Sequence, residues 1–330
     1  MQKVDASGDG SNWVGLGTVQ GTYDLMALQN GGSVALLNGV SVDAGTYRYF
    51  RITWDTVNHT DSIKLPAYAI DTQGGQHPLA MPTAFTTVVQ GAVAVRSKAS
   101  ANAQIMFSGN QAIQVHPAAG QPAYVFQATG QAFDPGGCAR ITGNLSDGDV
   151  LLAGVEVYAE TVDGTGLATI RRRALTDGSG DYALEALPAG SIYYVVGQPA
   201  GTTSAYAAAA SAGVNCTSAS AYGPADLAYA SPQAPGALAL AITPPSAASD
   251  GTWGELRQAL STGGAGFKTL IVRSQTVATG ATQDVASFAG LFPGIYGYTA
   301  QRSSAGAAPV MKVGSEAEVI AGATTSRSLP

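Results

Sequence analysis

Short β-forming segments, each closed by Gly, Asp or Pro, recur along nearly the whole chain, and that punctuation limits what it can fold into. Residues 47–54, 154–159, 192–196 and 268–272 are four of them. They are rich in Val, Ile, Tyr and Thr, whose branched or aromatic side chains suit a pleated, half-buried surface. Runs this short, broken this often by turn residues, build sandwiches or small barrels. Helical signals are few. Thr252-Trp253-Gly254-Glu255 ahead of Leu256 and Leu260 has the form of a capping box and predicts a short helix. The Ala-rich stretch 204–212 predicts another. The expected class is all-β: tandem β-sandwich domains, Ig-like or prealbumin-like, with one or two short helices.

A chain of 330 residues exceeds one ordinary domain. A local pattern that recurs three times sets the number. Asp43-Ala44-Gly45-Thr46-Tyr47, Leu187-Pro188-Ala189-Gly190-Ser191-Ile192-Tyr193 and Leu291-Phe292-Pro293-Gly294-Ile295-Tyr296 each place a Gly after Ala or Pro, and a Tyr two or three residues on. The physical reading is a tight turn at a sandwich edge, whose Tyr packs on the core and ties its hydroxyl to backbone. Three copies imply three domains, at 1–134, 138–230 and 236–330. Pro- and Gly-bearing connections at 133–137 and 231–236 support the cuts.

Charged residues are 12% of the chain, about half the ~25% of an average soluble domain. Lys plus Arg number 16 against 22 acids, a net charge of −6, which excludes a nucleic-acid partner. The cluster Arg171-Arg172-Arg173 reads as a solvated edge strand, with Arg172 facing opposite its neighbours. No apolar run approaches the ~18 residues of a membrane span. Abundant Thr, Ser, Gly and Ala with five Lys fits an exported bacterial product.

Reactive groupings are sparse. His59, His77 and His116 accompany no nucleophile motif, and the two that precede Pro (His77, His116) fit turns. Neither a phosphate loop nor zinc-ligand spacing is present, so no catalytic residue, cofactor or metal is expected. Asp5 to Asp9 and Asp177 to Asp181 place oxygens at the first, third and fifth positions of a calcium loop. Leu16 and Pro188 stand where the bidentate acid belongs, which favours hairpin turns over calcium. Cys138 and Cys216 both lie among Gly, Ser and other polar residues, which predicts exposed loops and a disulfide bracketing the middle domain. The middle domain has no Lys between Lys98 and Lys268, excluding a Lys–Asn isopeptide bond there.

Trp13, then Asp24-Leu25-Met26-Ala27-Leu28-Gln29-Asn30-Gly31, then Ala44-Gly45-Thr46-Tyr47 running on to Arg51-Ile52, resembles the bacterial domain-of-unknown-function family numbered 4382 over residues 1–131. Residues 141–198 resemble carboxypeptidase regulatory-like domains through Gly143, Leu152 to Val157, Thr176 to Tyr182 and Leu187 to Gly190. The first resemblance implies export or a lipid anchor and no activity; the second implies a seven-stranded prealbumin-type sandwich. Domains of the first kind open with a strand ahead of the segment matching Met1 to Val4. Either that strand is missing from this sequence or another copy supplies it, with the C-terminal tail (317–321 and 324–326) as the expected donor. The function expected is a non-catalytic extracellular structural protein, a subunit of a filament or other cell-surface assembly. Its partner is another copy or another surface protein. The competing expectation is a monomeric adhesion or glycan-binding protein.

Overall fold

The computed structural model describes residues 1–19, 21, 23–24, 34–54, 68–70, 74–80, 86–107, 113–118, 121–126, 130–148, 150–199, 201, 203–243, 251–263, 266–277, 283–303 and 310–329. Nearly all the regular structure is β. Among the described residues, helical geometry is limited to a 3-10 turn at Pro135–Gly137. The chain divides into two compact units that meet at Gly137–Cys138.

The first unit contains β1 (Lys3–Ser7), β2 (Val14–Thr18), β3 (Gly45–Thr53), β4 (Tyr68–Ile70), β5 (Gln76–Ala80), β6 (Thr86–Val95), β7 (Gln104–Phe107), β8 (Ile113–Ala118), β9 (Gln121–Phe126) and β10 (Gly130–Phe133). One sheet runs β2-β1-β3-β6-β10-β7 and the other β4-β5-β9-β8. Period-two alternation buries Phe50 and Ile52 of β3 and Val89 and Val93 of β6. Strand β10 joins β6 in parallel, opposite Gly91. A Cβ there would lie 1.6 Å from the Ala132 carbonyl oxygen, so β10 can close on β6 only past a glycine. Trp54 donates its indole N–H to Thr87 Oγ1 at 2.8 Å in the core. His77 and His116 lie within β5 and β8 rather than in turns. His59 lies outside the described residues.

The second unit begins with β11 (Cys138–Asp147), β12 (Val150–Leu151), β13 (Glu156–Val162), β14 (Ala168–Leu175), β15 (Asp181–Pro188), β16 (Ser191–Gly197), β17 (Ala209–Ala210), β18 (Val214–Cys216), β19 (Ala221–Tyr222) and β20 (Leu227–Ala228). Its sheets are β12-β11-β15, with β19 and β20 also on β11, and β14-β13-β16-β17, with β18 also on β16. Between them pack Ile141, Leu145, Val157, Leu184, Tyr193 and Val195. Then follow β21 (Gly236–Ile242), β22 (Gly251–Ser261), β23 (Phe267–Thr276), β24 (Asp284–Leu291), β25 (Gly294–Ser303), β26 (Val310–Val319) and β27 (Thr324–Leu329). They form the sheets β24-β21-β27 and β23-β22-β25-β26.

Several expectations are overturned. The capping-box segment is strand β22, not a helix. Leu256 is fully buried on one face, while Glu255 and Arg257 lie on the other and join at 2.7 Å. An acid and a base at i, i+2 share a strand face, and that periodicity wins over the helical reading. Ala-rich 204–212 holds only the bridge at Ala205 and the short β17. The supposed donor tail is used within its own sandwich: 317–319 belong to β26 against β25, and 324–326 to β27 against β21. In the first unit, β1 is flanked on both sides by strands of its own chain, β2 and β3.

Arg171 to Arg173 do form an edge, β14, but Arg172 is not solvated. Its Nε and Nη2 donate to the carbonyls of Glu185 and Ala186 at 3.1 and 2.6 Å. Those carbonyls lie in a bulge of β15 where Ala186 has φ +58°. The guanidinium thus takes up acceptors that the ladder cannot.

Candidate functional site

The three Gly-then-Tyr turns fold alike. Tyr47 donates to the Asp43 carbonyl at 3.0 Å, Tyr193 to that of Pro188 at 2.7 Å, and Tyr296 to that of Phe292 at 2.7 Å. Each Tyr sits near the start of a strand, β3, β16 or β25, and each strand belongs to a different sheet. Tyr193 and Tyr296 are fully buried and Tyr47 is half-buried. Burial pushes the Tyr296 hydroxyl up to about 12. Of the three glycines, Gly190 needs its identity for backbone reasons, with φ +85°.

The acidic turns are closed on themselves. Asp9 Oδ1 accepts the N–H groups of Ser11 and Asn12, both at 2.8 Å. Asp177 Oδ1 accepts those of Ser179 and Asp181 at 2.8 and 3.0 Å. Asp163 makes a third such turn with Thr165 and Leu167. The backbone donors of Asn12 and Ser11 hold the Asp9 carboxyl far below the usual carboxylate range. Oxygens so occupied are Asx-turn acceptors. Among the described residues, no group of three or more His, Cys, Asp or Glu is placed to hold a metal ion.

The expected disulfide is not formed: both cysteines are thiols. Neither lies in a loop. Cys138 opens β11 opposite Pro188, and Cys216 ends β18 opposite Ser191, so they flank one corner from two sheets. Cys216 faces the core with no exposed surface, because strand alternation outweighs its polar neighbours; burial pushes its thiol up.

The densest polar grouping was not foreseen. It lies in the seam between the sandwich of β11–β20 and that of β21–β27, within the second unit. Strands β13 and β16 turn one face to their own core and the other to this seam, where Tyr194, Val196 and Ala168 share an apolar cluster with Ile271 of the third sandwich. Four polar links cross it. Glu160 Oε2 accepts the Ile271 N–H at 2.9 Å. Arg257 donates to the Ala168 carbonyl at 3.2 Å. Arg173 donates to Ser274 Oγ at 2.9 Å, and Gln198 Nε2 to the Tyr296 hydroxyl at 2.7 Å. Arg173 also pairs with Glu156 at 3.1 Å and lies over the Tyr158 ring, whose hydroxyl donates to Glu156. The sequence signal was the unbroken apolar run Ile192 to Val196, since a strand buried on both faces loses alternation. This arrangement is a joint within one chain. It fixes two sandwiches together.

No protein-family model matches the chain, and no curated protein does. Solved structures that match the chain include the streptococcal ancillary pilin, at 12% identity over 74% of this chain and 81% of that one, with a TM-score of 0.22. The shaft pilin SpaA of Lactobacillus rhamnosus GG is 14% identical over 58% of this chain and 97% of its own, with a TM-score of 0.21. The Bacillus anthracis TIE protein is 12% identical over 86% and 51%, with a TM-score of 0.22. Likenesses at this level do not assign a family.

Proposed function

We propose that the chain is a non-catalytic extracellular structural protein, a subunit of a filament or other assembly at a bacterial cell surface. The observation that carries this is the pairing of first and last strands in the third sandwich. Strands β21 and β27 are parallel neighbours through six residue pairs, from Ala237 with Thr324 to Ile242 with Leu329. The chain therefore enters at one end of this ladder and leaves at the other. Tension between those ends loads all its hydrogen bonds together in shear, whereas a hairpin pulled from one edge gives way bond by bond. The middle sandwich repeats the arrangement on a smaller scale, with β20 parallel to its first strand β11. Such geometry suits a chain held under load between neighbours, and the seam stiffens the same stretch. The resemblance of residues 1–131 supports export.

Sedimentation and negative-stain imaging of the full chain over a concentration series test this, with linear or clustered assemblies as the expected result. A chain that remains monomeric at the highest attainable concentration overturns self-assembly. It would favour the second reading, a monomeric adhesion or glycan-binding protein. One feature favours that reading: the outer face of β3 carries Tyr49 and Arg51, with Arg51 4.3 Å from the Trp13 ring centroid. Glycan-array binding that disappears in Trp13→Ala would establish it.

A further inference from the structure

Glu160 stands apart in the seam by a count of charges. Arg257, 8% exposed on β22, has Glu255 as its anion at 2.7 Å. Arg173 on β14 has Glu156. Each guanidinium thus has one carboxylate, although Arg257 Nε is left without a hydrogen-bond partner, and Glu160 is a third carboxyl outside both ion pairs. Its position is fully buried: Oε2 accepts the Ile271 N–H from the partner sandwich, and Oε1 has no hydrogen-bond partner. The other groups facing it are Ile170 of β14 and Tyr194 of β16, its partners in the two flanking ladders. Neither supplies charge. An ionised Glu160 would put an unmatched negative charge into a dry interface, which is among the costliest things a fold can hold.

We propose that the seam between the second and third sandwiches is a proton-dependent latch, tight while Glu160 is protonated and weakened when it ionises. A protonated carboxyl keeps the bond to Ile271 through one oxygen and can donate from the other. Burial, opposed by the Ile271 N–H and by Arg257, and reinforced by Glu255, pushes this carboxyl up to about 8 from its ordinary 4.5. A group that titrates higher in the closed seam than in water takes up a proton on closure. The seam is therefore tightest below about pH 4.5 and loses stability as pH rises towards 8, by up to about tenfold in its closing equilibrium per pH unit. An exported protein meeting acid and neutral surroundings would be firm in the first and more compliant in the second.

Hydrogen exchange at the Ile271 amide, corrected for the intrinsic pH dependence of exchange, reads the latch directly. In the wild-type chain its protection should fall steadily between about pH 5 and 8, approaching tenfold per unit. In Glu160→Gln, which keeps an acceptor for Ile271 without a titrating group, protection should be level with pH. In Glu255→Gln, Arg257 is released to pair with ionised Glu160 and the closed carboxyl titrates closer to its value in water, so the fall should be smaller and level off at a lower pH, with the seam holding at neutrality. Protection that is level with pH in the wild type, or equally steep in Glu160→Gln, overturns the latch. Should Glu160→Gln fail to fold, the wild-type slope and its change in Glu255→Gln still decide.

Discussion

Gln198 donates a hydrogen bond from Nε2 to the hydroxyl of Tyr296 at 2.7 Å, and the same hydroxyl donates to the Phe292 carbonyl at 2.7 Å. The corner that turns the third sandwich is thereby held by the middle one. Removing that oxygen leaves the Gln198 amide and the Phe292 carbonyl with fewer partners in a buried place. Tyr296→Phe should cost about 1–3 kcal/mol in urea unfolding. Tyr47 makes one such bond in a half-exposed turn, so Tyr47→Phe should cost roughly 0.5 kcal/mol. Equal losses would show that the seam contributes nothing to this corner.

Two of the three turn glycines, Gly190 and Gly45, differ in what they demand. At Gly190 the backbone has φ +85°, a region where a Cβ is strained. Gly190→Ala should lower stability by about 1–2 kcal/mol. At Gly45 φ is not positive and nothing lies within 4 Å of an added Cβ. Gly45→Ala should therefore change stability by less than about 0.5 kcal/mol. Differential scanning calorimetry of both variants distinguishes them.

Alkylation with iodoacetamide at pH 8 should leave Cys216 unmodified in the folded protein and modify it in denaturant. Its side chain has no exposed surface, and burial keeps the thiol protonated. Denatured samples prepared with and without reductant should give the same number of labelled thiols. A lower number without reductant would show that the Cys138–Cys216 disulfide forms after all.

Calcium should leave the thermal midpoint where it is. In both candidate loops the acids are already engaged: Asp9 and Asp177 accept backbone N–H groups through Oδ1, Asp5 pairs with Lys3 and Arg51, and Asp181 accepts the Asn144 side-chain amide. A cation would have to displace those bonds before binding. A midpoint that climbs with calcium, and ceases to climb in Asp177→Asn or Asp9→Asn, would contradict this.

The strand-rich class was legible because its signals are local: β-branched runs and the turn residues between them. The tyrosine turns were legible for the same reason, since donor and acceptor lie four or five residues apart. Strand β22 was misread because a Leu256–Leu260 spacing suits helix and sheet alike, and only the burial of one face separates them. The cysteines were misread from their neighbours' polarity, although in a strand the adjacent residue points the other way. The seam lies further off. Glu160 and Ile271 are 111 residues apart, and no local pattern announces that pairing. What did mark the seam was the unbroken apolar run Ile192 to Val196.

Residues 231–236 look like the break between two modules, yet they are fastened on both sides. Gln233 exchanges backbone hydrogen bonds with Ala205 at 2.9 Å, and the Pro235 carbonyl accepts the Gly322 N–H at 2.9 Å. A cut there would bare Tyr194 and Val196 on one piece and Ile271 on the other. Neither half is then a portable part. Whatever rearranges such proteins by exchanging domains, in nature or at the bench, must move 138–330 as a single block or accept fragments that clump through their newly wetted faces.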